Sequence, residues 1–243
     1  MIDFARVIDK LEQCFARQDL AGAEQLLLFW RREALSSDDE RALQQLDNEL
    51  LGLYRRTNDR DKGLAVAARL LPRLAQDNVG DAIVKLNIAT NYCHFGMPQQ
   101  AAPIYAEAQR VLEAQLPEDD YRLASLYNNM ASMHNATKHY AEAEALYAKA
   151  LQVIRRIVPT PPELAVTLVN YAVSKYMQNP LDGEVDAAMC EAYRVLQQDD
   201  IPHDGNYAFV LSKVIPVYAH LGYSEEQAHL ERLRKQVTDA YGN

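Results

Sequence analysis

The stretch "LYNNMASMHNATKHYAEAEALYAKALQVI", residues 126–154, repeats a phrase that the chain has already used in "LNIATNYCHFGMPQQAAPIYAEAQRVL", which begins at Leu86. Both open on Asn-x-Ala, pass through Tyr-Ala-x-Ala and close on a Val-Leu or Val-Ile pair. The register is nearly constant. Ala89 returns as Ala131 and Ala172, Tyr105 as Tyr147, Ala108 as Ala150 and Ala192, and Val111 as Val153 and Val195, at steps of 42 residues with a single step of 41. The residue missing from the third copy is restored in the turn Asn179-Pro180-Leu181-Asp182-Gly183. Packed helices cannot absorb an insertion without rotating every later side chain off its face, so a fixed period with its slack in turns marks a repeat architecture.

Apolar residues recur three or four apart in segments of about 15 to 18 residues, the amphipathic helix pattern, and alternating β-branched runs are absent. Breakers at Ser36–Asp39, Asn78–Asp81, Pro117–Asp120, Pro159–Pro162, Asn179–Gly183 and Asp199–Gly205 separate longer blocks. Shorter breaks at Gln18-Asp19, Asn58-Asp59, Gly96-Met97-Pro98, Lys138-His139 and Gly222-Tyr223 divide them again. Twelve helices in six antiparallel pairs result. Thr160-Pro161-Pro162-Glu163 has the form of a capping box, with a threonine cap, proline in the first turn and glutamate three residues on. Ala101, Tyr105 and Ala108 fall at i, i+4 and i+7 on one stripe, where alanines admit a neighbouring helix and tyrosine fills the remaining wedge. One pair cannot bury both its stripes, so pairs must stack into an all-α solenoid.

A chain of 243 residues is long enough for one elongated domain or two small ones. The period favours one solenoid domain over 1–243, with repeats at about 2–35, 38–76, 82–115, 124–157, 165–199 and 208–241. A formal charge of −9 argues against nucleic acid as the main partner, since phosphate binding needs a basic surface. Three separated cysteines, Cys14, Cys93 and Cys190, do not form a disulfide framework and suit a reducing cytoplasm. The opening residues are too charged for a signal peptide, and no apolar run reaches membrane-spanning length, so no membrane partner is expected. The sequon Asn135-Ala136-Thr137 therefore carries no expectation of glycosylation.

The residues Ala89, Tyr92, Gly96, Ala101, Tyr105 and Ala108 resemble the tetratricopeptide repeat family, with a small residue, an aromatic three on, glycine at the turn, then Ala, aromatic and Ala down the second helix. Ala131, His134, Lys138, Tyr140, Ala143, Tyr147 and Ala150 repeat the pattern with departures at the histidine and lysine. The third copy has Lys175 in the aromatic's place, with Val185 and Met189 in its second helix. Leu51, Tyr54 and Ala67 fit loosely before them, and Tyr218 and Gly222 after. The 42-residue period looks most like the kinesin-light-chain class. The resemblance implies a right-handed superhelical solenoid whose first helices line a concave wall and hold protein or peptide partners.

On that wall, Asn87, Asn129 and Asn170 each stand two residues before the small alanine. A side-chain amide donates and accepts, so it can pair with any peptide backbone. The same amides could equally satisfy one another as a ladder between neighbouring first helices. Thr90, His94, Asn128, Ser132, Asn135, Val173, Tyr176 and Met177 are expected on the same side, with Arg55 and Arg56 on an earlier unit and Lys213 on the last. Arg55 and Arg56 read alternatively as solvated helix surface.

Catalytic patterns are lacking, and neither an enzyme nor a cofactor or metal site is predicted. His134 and His139 lie five apart across a turn, unlike a metal-binding His-x-x-x-His, and adjacent Cys93 and His94 point about 100° apart on a helix. The expected role is a cytoplasmic protein- or peptide-binding scaffold. The alternative is a peptide or small-ligand sensor that signals to a separate output protein. Ala228, Leu230, Leu233 and Val237 on the last helix would support a homodimer through the C-terminal pair if they form an exposed stripe.

Overall fold

The computed structural model describes residues 2–242, with side chains through Ala240. It contains twelve α-helices, and no strand among the described residues. Backbone contacts group the chain into two compact units, Met1–Gln115 and Leu116–Asn243, each holding three helix pairs. The first comprises α1 (Phe4–Ala16) with α2 (Leu20–Ser36), α3 (Glu40–Arg56) with α4 (Arg60–Leu70), and α5 (Val79–His94) with α6 (Pro98–Gln115). The second comprises α7 (Tyr121–Ala136) with α8 (Tyr140–Ile154), α9 (Glu163–Gln178) with α10 (Gly183–Val195), and α11 (Gly205–Leu221) with α12 (Ser224–Gly242). Pro72 ends α4 in a 3₁₀ turn, Leu71–Arg73, because proline cannot continue the hydrogen-bond ladder. Within a unit, first helices pack side by side, α3 on α5 and α9 on α7 and α11.

Six turns share one geometry. Gln18, Asp38, Asn58, Gly96, Lys138 and Gly222 take positive φ. The next N–H reaches back to close the helix end: Asp19 to Cys14, Asp39 to Ala34, Asp59 to Tyr54, Met97 to Tyr92, His139 to His134 and Tyr223 to Tyr218, at 2.8–2.9 Å. These are Schellman closures, which satisfy carbonyls that the helix would otherwise orphan. In the first unit the following aspartate also starts the next helix, since the Asp19, Asp39 and Asp59 carboxylates accept from the N–H of Gly22, Ala42 and Lys62.

One expected cap is absent. Thr160 makes no capping bond; α9 begins at Glu163 with Pro162 at its cap position. Two successive prolines supply no N–H and hold the preceding residue extended, which leaves Thr160 too far upstream. The Glu163 carboxylate instead accepts from Asn206 Nδ2 at 2.8 Å.

The repeated stripe forms the core. Ala101, Tyr105 and Ala108 are buried in one unit, and Ala143, Tyr147 and Ala150 in the other. Each tyrosine meets a hydroxyl of its own pair's first helix: Tyr105 with Thr90 at 3.1 Å, Tyr147 with Ser132 at 3.2 Å. In the third copy Val173 and Met189 occupy these two places, so an apolar pair replaces a hydroxyl pair, and buried Tyr218 donates to the Met189 carbonyl at 2.8 Å. The first unit also buries a charge. Asp47 on α3 is fully enclosed and held by Arg31 of α2 at 2.7 Å and by Arg69 of α4 at 3.0 and 2.7 Å. Three helices are thereby tied at one carboxylate, the arrangement under which a buried ion is tolerated.

Candidate functional site

Within each unit, neighbouring first helices share one pair of side-chain amides. In the first unit Asn87 Nδ2 of α5 donates to Asn48 Oδ1 of α3 at 2.8 Å. In the second, Asn170 Nδ2 of α9 donates to Asn128 Oδ1 of α7 at 3.1 Å. The placement is the same both times: the donor stands two residues before the small or apolar landmark of its helix (Ala89, Ala172), the acceptor three before that of the preceding first helix (Leu51, Ala131). All four are half-buried. An amide has two N–H donors and two lone pairs, so each pair bond engages only part of that capacity. In the first unit Gly52, one turn beyond Asn48, leaves open space where a Cβ would stand.

The other predicted wall residues separate into several environments. Asn129 is half-buried on α7, and its neighbour Asn128 makes the lateral bond. Thr90 and Ser132 turn their hydroxyls to the buried tyrosines and to the carbonyls of Leu86 and Asn128. His94, exposed at the end of α5, lies 3.1 Å from Asn58 Oδ1. Asn135 is half-buried, and its Oδ1 is enclosed without a hydrogen-bond partner. Tyr176 meets His220 edge-on at 6.3 Å, while Met177 is 56% exposed. Val173 is half-buried. Lys213 lies over the Phe209 ring at 5.1 Å.

At the end of α3, Arg56 covers the Phe15 ring at 4.2 Å. Arg55 is half-buried with Nη1 enclosed, and burial lowers its pKa while the nearby Tyr105 phenol opposes that shift. Arg55 is therefore not a fully solvated side chain. Two cations in the last turn suit the negative end of a helix. Burial also pushes the Cys93 thiol up to about 11, against a hydrogen bond with Tyr105, so it is a poor nucleophile. The half-buried Glu49 carboxyl is likewise raised by burial, partly offset by a bond with Asn48.

The turn after α7 brings His134 and His139 closer than their spacing suggests, with ring centroids 6.0 Å apart and edge-on. No group of three or more His, Cys, Asp or Glu suited to a metal ion occurs among the described residues.

Sequence reading missed Asn48 and the Asp47 clamp. Asn48 had a findable signal, since it and Asn128 share the place three before the landmark. Asp47 had none, because its partners come from two other helices.

Helix pairs on a 42-residue period with alanine–tyrosine stripes define an α-helical repeat protein whose first helices present polar side chains. The tetratricopeptide repeat family matches at residues 80–153 and 122–182. Among solved structures, BtubC (BKLC) from P. vanneervenii is similar at a TM-score of 0.61 and 23% identity, over 73% of this chain and 73% of that one. A kinesin-light-chain-type protein of Podosopora anserina with nearly identical TPR-like repeats is similar at a TM-score of 0.55 and 14% identity, over 79% and 93%. The fold is that of kinesin-light-chain-like tetratricopeptide repeat proteins. No curated protein matches the sequence.

Proposed function

We propose that the chain is a cytoplasmic binding protein whose first-helix face holds an extended segment of a partner protein through its backbone. Tetratricopeptide repeats generally mediate protein–protein interaction, and no described helix is long and apolar enough to cross a membrane. The observation that carries the reading is the pair of half-buried amide contacts, Asn48–Asn87 and Asn128–Asn170. Each lateral bond fixes the side-chain orientation and leaves hydrogen-bonding capacity for a peptide N–H or C=O. Such preorganised amides lose little conformational freedom on binding. Gly52 adds room for close backbone approach, and three unpaired cysteines agree with a reducing compartment.

The homodimer reading has a weaker basis, because Leu230 and Val237 are buried and only Ala228 of the four is exposed. The test is affinity capture from the native host, identified by mass spectrometry. Replacing Asn87, Asn129 and Asn170 by alanine is expected to abolish capture of the specific partner while helicity stays unchanged. Undiminished capture refutes the assignment.

A further inference from the structure

A groove of about 880 Å³ opens between α8 and α10, on the second helices of the second unit. Leu151, Leu168 and Tyr171 line it beneath low walls. On the α8 side those walls are Ala141, Ala145 and Ala148, at i, i+4 and i+7 and all exposed; Ala187 faces them from α10. Methyl groups at this spacing let another helix approach closely.

The charges around the groove do not cancel. Its lining carries Glu144, Glu184 and Glu191 against Arg155. Arg155 engages Glu191 at 2.9 and 2.8 Å, and Lys175 from α9 engages Glu144 and Glu184, each at 3.1 Å. Lys175 also reaches Asp182 at 4.0 Å, so two cations face four carboxylates and the apolar floor lies under an excess of negative charge.

The first unit offers the complement. On α2, Ala21, Gln25, Leu28, Arg32 and Leu35 follow helical spacing on one exposed stripe, beside Phe29. Leu28, Phe29 and Leu35 are 39%, 47% and 53% exposed, so this single helix presents three large apolar side chains to solvent. Arg32 is the one charge on the stripe.

We propose that α2 of one copy docks into the α8/α10 groove of a second copy, its leucines over the alanines and Arg32 toward the surplus carboxylates. The occupant matches in polarity, sign of charge and shape: a large-residue ridge against a small-residue trough. Two different surfaces meet, so the contact is heterologous and a docked pair still offers one free ridge and one free trough. A single helix in a groove belongs with small, transient interfaces, and the net charge of −9 opposes it at low salt.

The experiment is sedimentation of the full chain across a micromolar-to-submillimolar series at moderate salt, expected to show mass rising with concentration beyond one copy. The double variant L28E/L35E removes the ridge, and Ala145→Arg fills the trough and repels Arg32; Ala148→Arg is a second trough variant. Each is expected to raise the dissociation constant at least tenfold with unchanged circular dichroism. An equimolar mixture of L28E/L35E with Ala145→Arg retains one ridge and one trough and is expected to stop at a one-to-one complex. A wild-type monomer throughout the series overturns the proposal, as does self-association that either surface variant leaves unchanged or that the mixture does not restore.

Discussion

At the scale of single residues, the repeated tyrosine is an anchor with a polar end. Tyr105 and Tyr147 fill the wedge between helices, and each hydroxyl needs the Thr90 or Ser132 oxygen because burial removes water as an alternative. Tyr105→Phe and Tyr147→Phe are each expected to lower stability by about 1 kcal/mol in urea melts, the usual worth of one such bond. The copy with Met189 in this place has no such bond to lose. His134 gives a pH dependence. Burial lowers its pKa from 6.5, opposed by Glu142 and reinforced by His139. The fold therefore favours the neutral ring. Its contribution is complete above pH 6.5 and is lost as pH falls through the lowered folded-state value, because the unfolded chain takes up the proton first. Between pH 6.5 and that lowered value, the melting temperature of the wild type is expected to fall more steeply on acidification than that of His134→Gln.

Elements are held by a few contacts that pattern reading cannot reach. Asp47 joins α2, α3 and α4, and Asp47→Ala is expected to cost roughly 3 kcal/mol in denaturant melts, the low end for a broken buried pair, since both arginines keep some access to water. Two helical glycines behave oppositely. A Cβ at Gly52 meets nothing, so Gly52→Ala is expected to stabilise α3 by about 0.5–1 kcal/mol, while on the proposed binding face it is expected to lower partner capture. At Gly63 a Cβ comes within 2.7 Å of Phe95 and 3.2 Å of Asn91, so Gly63→Ala is expected to destabilise in the same melts. Twelve helices and the Ala–Tyr–Ala stripe were legible because period and breakers are local properties of the chain. The α9 start was misread because a capping box was assigned by residue type, without the restriction that Pro162 places on Pro161 before it, which keeps Pro161 out of the helix. Of the candidate face, the donors Asn87 and Asn170 were visible through their fixed distance from Ala89 and Ala172. Asn48 was passed over because α3 carries leucine where later copies carry alanine, although it keeps the same distance from that landmark as Asn128 does.

For the whole molecule, each compact unit contains three pairs, enough for a middle pair with neighbours on both sides. Repeats draw stability from nearest neighbours, so a chain divided at the boundary is expected to give two fragments, 1–115 and 116–243, that each show helical circular dichroism and a cooperative melt. An unfolded fragment would disprove that autonomy. The split asparagine contact has a further consequence for how such a molecule can grow. Because one repeat brings the giving half and its predecessor the receiving half, a duplicated cassette can mate with its template only if it holds both: the repeat at 124–157 does, with Asn128 and Asn129, whereas Leu86 and Val169 stand at the receiving place of the two repeats that give. Lengthening by copies of that one repeat would prolong the amide row with no new invention, whereas copies of its neighbours, or a partial duplication, would set an amide against an apolar side chain.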